Sequence, residues 1–127
     1  MTQGNNAVVL LAHGARDQRW LEPFYRMRDL LQAGLGRDTL VALAFMEFTT
    51  PTFADAIAAI ADAQKGRVLV VPVFLSGGGH VAHDIPHLID PERAAHPEMI
   101  FTVSGAIGEE PEVVAGMIRA VSRLAAG

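Results

Sequence analysis

The sequence contains no cysteine. It therefore has no thiol that could form a disulfide, ligate a metal ion as a thiolate or act as a nucleophile. Any metal ion bound by this chain must be held by histidine and carboxylate side chains. Such nitrogen and oxygen donors suit cobalt, iron or nickel.

Positive charge and long apolar segments are also scarce. The chain has 10 Lys and Arg against 14 Asp and Glu, a net charge of −4, and no basic cluster that could neutralise a phosphate backbone. Apolar runs such as Ala7–Ala12 are too short to span a bilayer, and no signal-peptide pattern begins the sequence. We therefore expect a cytosolic protein whose partners are small molecules rather than nucleic acids or membranes.

Continuous apolar runs alternate along the chain with segments of helical periodicity. The runs cover residues 7–12, 40–46, 67–74 and 99–103. They lack the polar alternation of half-exposed strands and are typical of strands buried on both faces. Half of the 127 residues are hydrophobic, which is enough for one core. The pattern predicts one α/β domain over residues 1–127, a three-layer sandwich around a four-stranded parallel sheet.

Proline and glycine mark expected helix boundaries. Pro111 suits the first turn of a helix, and the glycines of residues 34–36 suit a helix end. Pro86 lies inside the third helical segment, where it removes a backbone N–H and clashes with the preceding turn. The sequence therefore predicts a single turn near His80 and a helix that restarts around Ile85.

A histidine and a glycine follow the first predicted strand directly. The carboxyl ends of parallel strands form the edge where open α/β sheets bind ligands, so His13 is a candidate site residue, with capping of the first helix as the alternative. Gly14 allows backbone or ligand to approach closely. Trp20 and Phe24 are interpreted as core residues of the first helix, with contact to a planar ligand near His13 as the alternative.

Glu47 ends the second run among apolar neighbours. A carboxylate buried in such surroundings needs a partner. The residue is therefore either a ligand at the same sheet edge or a structural acceptor for backbone N–H groups of the loop.

The third predicted strand is followed by glycines and histidines. A loop of Ser76, Gly77, Gly78 and Gly79 could cradle an anion, although it lacks the Gly-Lys-Ser/Thr ending of a nucleotide-binding loop.

The spacing of His80, His83 and His87 is three and four residues, which places side chains on one helix face and indicates metal binding. Pro86 weakens this argument for His87, which, like His96, is interpreted as a solvated surface residue.

Asp84 lies between these histidines, directly before Ile85 and Pro86. Its simplest role is to cap the helix that is expected to restart there. The alternative is that its carboxylate orients His80 or His83.

Two motifs together resemble a known family. His-Gly-Ala-Arg-Asp follows the first strand and Phe-Leu-Ser-Gly-Gly-Gly-His-Val-x-x-Asp-Ile-Pro follows the third, as in the small sirohydrochlorin chelatases of the CbiX/SirB type. The resemblance covers essentially the whole chain. It implies one chelatase domain over residues 1–127 with the fold of the class II chelatases, which are relatives of ferrochelatase.

The resemblance also implies the site. His13, Glu47 and His80 would be the catalytic residues and the ligands of the incoming metal ion, whereas His83 occupies a variable position to which nothing carries over. Imidazoles can bind a divalent ion and accept the pyrrole protons, and a carboxylate offsets the charge of the cation. The expected contacts to the tetrapyrrole come from the loops after the first and third strands: Gly14, Arg16, Ser76, Gly77, Gly78 and Gly79. Arg19 is a further candidate for the carboxylates of the substrate.

The implied reaction is insertion of a divalent metal ion, Co²⁺ foremost with Fe²⁺ or Ni²⁺ as alternatives, into a sirohydrochlorin-type tetrapyrrole. No ATP and no tightly bound cofactor are implied, because the metal is a substrate. The long relatives of the family contain two such units with the site between them, so a homodimer is expected here. A non-catalytic tetrapyrrole or metal carrier is the alternative, and the absence of Gly-x-Gly-x-x-Gly disfavours a nucleotide-binding module.

Overall fold

A parallel sheet of four strands forms the centre of the molecule. The computed structural model describes residues 4–78 and 80–127, and among these the side chains of His80 and Val81 are not described. The strands are β1 (Ala7–Ala12), β2 (Leu40–Phe45), β3 (Arg67–Pro72) and β4 (Ile100–Val103), and their order in the sheet is β2-β1-β3-β4. The four-stranded parallel sheet predicted from the apolar runs is confirmed. Strands β2 and β3 end earlier than their apolar runs.

Four helices connect and flank the strands. They are α1 (Glu22–Leu35), α2 (Phe53–Asp62), α3 (His80–Ala95) and α4 (Pro111–Ala125), with short 3₁₀ turns at Gln18–Leu21 and Ile107–Glu109. Pro111 begins α4, and Gly36, with φ of 85°, ends α1, both as predicted. No helix in the described part of the chain is long and apolar enough to cross a membrane.

Side chains of the sheet alternate between two hydrophobic clusters. On one face, Val9 and Leu11 of β1 pack with the apolar side of α2 and with Ile85 and Ile89 of α3. On the other face, Val8 and Leu10 pack with Leu21 and with partly buried residues of α1. Burial on both faces explains the uninterrupted apolar runs of β1, β2 and β3 and confirms the three-layer sandwich. The same prediction is wrong for the edge strand β4, in which Phe101 is buried but Ile100 and Val103 are exposed.

Helix α3 is continuous, so the break predicted at Pro86 is wrong. The helix runs from His80 to Ala95 with Pro86 and Pro91 inside it. A proline at this position costs a helical hydrogen bond. Its neighbours Ile85 and Ile89, however, are 7% and 2% exposed in the core of the domain, and burial of two such side chains is worth about 1.5–3 kcal/mol each, enough to offset the cost.

Candidate functional site

The loops after β1 and β2 are joined side by side at the carboxyl edge of the sheet. The N–H of Met46 donates to the carbonyl of Ala12 at 2.8 Å, and the N–H of Glu47 donates to the carbonyl of His13 at 3.0 Å. These bonds extend the pairing of the two strands past their ends. As a result, His13 and Glu47 leave the sheet at neighbouring positions, and the strand order reverses beside them, between β1 and β3.

Gly14 is required by this arrangement. Its φ is 94°, and a Cβ atom at this position would overlap the carbonyl oxygen of Glu47. The close approach that glycine permits here is therefore between two backbone segments. This close approach keeps the loop after β1 against the loop after β2, and so keeps His13 next to Glu47.

A cavity of ≈ 450 Å³ lies at this edge. It is lined by His13, Met46, Glu47, Asp84, His87 and Leu88. The two predicted site residues, His13 and Glu47, therefore share one cavity. Helix α3 adds two polar side chains, Asp84 and His87, for which the sequence favours a helix cap and a solvated surface residue. His87 is exposed, as predicted, but it faces the cavity.

The imidazole of His13 rests against an aromatic ring. Its centroid lies 4.3 Å from that of Phe74, with the planes tilted by 56°. Phe74 is half-buried in the loop after β3, whereas His13 is exposed. The contact orients the imidazole, which remains exposed and lines the cavity.

Glu47 is exposed, so its predicted burial among apolar neighbours is wrong. Strand β2 ends at Phe45, two residues before Glu47. Phe48, which directly follows Glu47, has φ of 71° and is 57% exposed. Across the described residues, the carboxylate of Glu47 accepts no hydrogen bond. The role of structural acceptor for loop N–H groups thus has no support among the described residues, and the role of Glu47 as a ligand stays a prediction.

His80 begins the backbone of α3, but its side chain lies outside the described residues, as does Gly79. Within the side chains that are described, no group of three His, Asp or Glu lies close enough to hold a metal ion. The set His13, Glu47 and His80 therefore stays a prediction.

Asp84 lies within α3 and not at its start, so it does not cap the helix as predicted. Because α3 is continuous, His83 and His87 lie one turn apart on one face, and their Nε2 atoms are 3.3 Å apart. The helical spacing argument, weakened in the sequence by Pro86, holds for this pair. His96 is half-buried and lies between Glu92 and Glu98, at 3.7 Å and 3.5 Å, rather than being fully solvated.

The glycine loop after β3 is tied to the segment after β4. The N–H of Gly77 donates to Oε1 of Glu109 at 3.0 Å, and the N–H of Gly78 lies 3.4 Å from Oγ of Ser76. The carboxylate of Glu109 thus already accepts the hydrogen bond of one N–H group in the loop that was expected to bind an anion. Sequence reasoning missed Glu109, because the contact joins positions 32 residues apart and no local spacing indicates it.

Basic and aromatic side chains surround the same edge. The guanidinium of Arg16 lies over the ring of Phe48, with Cζ 4.7 Å from the centroid. Arg19 is instead engaged with Asp17 through Nη2–Oδ2 and Nε–Oδ1 contacts of 2.7 Å and 3.1 Å. This side-chain hydrogen bond, together with the bond from the Arg19 N–H, lowers the pKa of Asp17. Of the two predicted basic candidates, Arg16 is the one whose charge is not matched by a neighbouring carboxylate across the described residues.

Trp20 is not a core residue, which corrects the prediction for it. It lies in the 3₁₀ turn before α1 and is 71% exposed. Phe24 is half-buried, with its ring edge-on to that of Phe45 at 6.4 Å. Trp20, Phe48 and Leu75 are each exposed apolar side chains in the segments that follow β1, β2 and β3.

Comparison with known proteins agrees with the motifs. The CbiX family model matches residues 7–124. A sirohydrochlorin cobaltochelatase of Methanothermobacter thermautotrophicus is 33% identical over 88 residues, which are 69% of this chain and 60% of that protein. The chain therefore spans less than two thirds of the length of the first curated relatives that it matches.

Solved structures share the fold. A CbiX protein of Marinobacter aquaeolei VT8, named for cobalamin (vitamin B12) biosynthesis, superposes with a TM-score of 0.81 at 26% identity, covering 92% of this chain and 94% of that one. The sirohydrochlorin chelatase SirB of Bacillus subtilis subspecies spizizenii, solved with cobalt, has a TM-score of 0.80 at 21% identity, covering 94% of this chain and 51% of that one. With its family model matched over almost the whole sequence, the chain belongs to the CbiX family.

Proposed function

We propose that this protein is a metal chelatase that inserts a divalent ion, Co²⁺ foremost, into a sirohydrochlorin-type tetrapyrrole without ATP. The observation that carries the proposal is the placement of His13 and Glu47 side by side at one cavity of the sheet edge. The names of the curated relatives supply the substrate class. A cytosolic location belongs to the same proposal.

The reaction exchanges two pyrrole protons of the macrocycle for one metal ion, which is itself a substrate. In the proposal, the imidazole of His13 binds the ion or accepts a proton, and the carboxylate of Glu47 offsets the charge of the cation. The resemblance assigns the same ligand and base role to His80. Phe74 holds the His13 ring in place by the tilted ring contact at 4.3 Å.

The tetrapyrrole is a flat ring that carries carboxylates. The exposed rings of Trp20 and Phe48 offer it apolar surface, and the guanidinium of Arg16 offers it positive charge. Gly14 and the loop of Ser76, Gly77, Gly78 and Gly79 contribute shape in this proposal. Gly77 is less suited to bind an anion because its N–H already donates to Glu109.

The function is tested by an anaerobic assay of purified protein with sirohydrochlorin and Co²⁺, Fe²⁺ or Ni²⁺, followed by absorbance. We expect insertion above the spontaneous rate with at least one metal and no dependence on ATP. A protein that binds the tetrapyrrole, yet leaves the rate at its spontaneous value with all three ions, would be a carrier.

We also propose that the working unit is a homodimer. Helix α4 has no buried residue, and its apolar side chains form one exposed face: Val114, Met117, Ile118, Val121 and Leu124. An exposed apolar face of this size is typical of an interaction site. A second copy is the proposed occupant, because this chain matches only 51% of the SirB chain.

If the apolar face of α4 is the dimer interface, a charged residue placed in it should dissociate the dimer. Ile118→Glu should shift the protein from dimer to monomer in light scattering after gel filtration, with its circular dichroism retained because the side chain is 61% exposed. Arg119→Glu, which adds negative charge on the polar side of the same helix, is the control and should stay dimeric. A parent protein that is monomeric and still inserts metal would contradict the dimer proposal.

A further inference from the structure

Two histidines on α3 converge on one point outside the proposed ligand set. The Nε2 atoms of His83 and His87 are 3.3 Å apart, and their ring centroids are 4.8 Å apart with the planes at 68°. Both side chains are exposed. The proposed insertion chemistry uses neither of them.

This spacing fits two ligands of one metal ion. With metal–nitrogen bonds of about 2.0–2.1 Å and an angle of about 90–109° at the ion, two imidazole nitrogens lie about 2.8–3.4 Å apart. The observed separation of 3.3 Å falls in this range. A cation can therefore replace the single proton that the two nitrogens share in the hydrogen bond.

The pair of His83 and His87 also lies next to the cavity that contains His13 and Glu47. His87 lines it together with Asp84, Glu47 and His13. The two carboxylates raise the local concentration of cations. Since no third His, Asp or Glu among the described side chains completes a cluster, water would fill the remaining positions, and an ion held by only two protein ligands is readily passed on.

We propose that His83 and His87 form a two-imidazole site for a divalent first-row transition-metal ion, and that this site loads the metal substrate into the neighbouring cavity. Imidazole is a suitable ligand for Co²⁺, Ni²⁺ and Zn²⁺. The loading role rests on the proposed chelatase function, whereas the metal site does not.

The site is tested with metal alone, in the absence of tetrapyrrole. Titration of the metal-free protein with Ni²⁺ or Co²⁺ in a calorimeter should show a binding event, separate from any binding at His13, that His83→Ala and His87→Ala each weaken by about tenfold or more, because the second imidazole otherwise binds intramolecularly. His96→Ala, beyond the end of the same helix, is the matched control. The event should persist in His13→Ala. Parental affinity in both His83→Ala and His87→Ala would overturn the site.

The loading role is tested by turnover at limiting Co²⁺. His83→Ala should raise the KM for Co²⁺ and leave the KM for the tetrapyrrole unchanged. An unchanged KM for Co²⁺ would overturn the loading role. If neither parent nor variant inserts metal while the calorimetric event is present, the chelatase function fails and the metal site stands.

Discussion

Replacement of His13 by alanine is expected to abolish metal insertion while leaving the protein folded. The side chain is exposed and its described packing is the contact with Phe74, which is worth about 0.5–1.5 kcal/mol. Loss of a proton acceptor costs about 10²–10⁴ in rate, and loss of a metal ligand adds to this. Insertion rates measured beside thermal unfolding by circular dichroism give both quantities.

His96→Ala is the control for this result, since His96 contacts Glu92 and Glu98 and does not line the cavity. It should insert metal at the parental rate. His80→Ala should behave like His13→Ala on the basis of the family resemblance. A folded His13→Ala protein that inserts metal as fast as the parent would show that the proposed site is wrong.

The strands and the edge that carries the site were predictable because both depend on local pattern. Uninterrupted apolar runs mark strands buried on both faces, and parallel strands bring their following residues to one edge. His13 and Glu47 are therefore neighbours in the structure, as the sequence indicates. The direction of the Glu47 side chain was not predictable, because it depends on the turn at Phe48 with φ of 71°.

The main wrong prediction from the sequence is the break in α3 at Pro86, and the reason lies in the packing energy of the helix. A proline signals a break locally, but burial of Ile85 and Ile89 against the sheet depends on tertiary packing, which sequence periodicity does not measure. The same packing brings His83 and His87 together. Long-range contacts such as that between Gly77 and Glu109 are likewise invisible in sequence spacing.

Glu47→Gln is expected to slow insertion strongly with little change in stability. The substitution keeps the size of the side chain and removes its charge. Because Glu47 is exposed and its carboxylate accepts no hydrogen bond within the described part of the molecule, the free energy of unfolding should change by no more than about 0.5 kcal/mol. Insertion should fall by about 10²-fold or more if the carboxylate offsets the metal charge or takes a proton.

The matched control is Glu98→Gln, which makes the same change just before β4, at the opposite edge of the sheet from the cavity. It should leave the insertion rate at the parental value. For Glu47→Gln, an unchanged rate together with a lowered melting temperature would assign the residue to the support of the loop. A reduced rate with an unchanged melting temperature, absent in the control, would place the carboxylate of Glu47 in the reaction, where it offsets the metal charge or takes a proton, because the substitution removes these two roles while shape and folding are preserved.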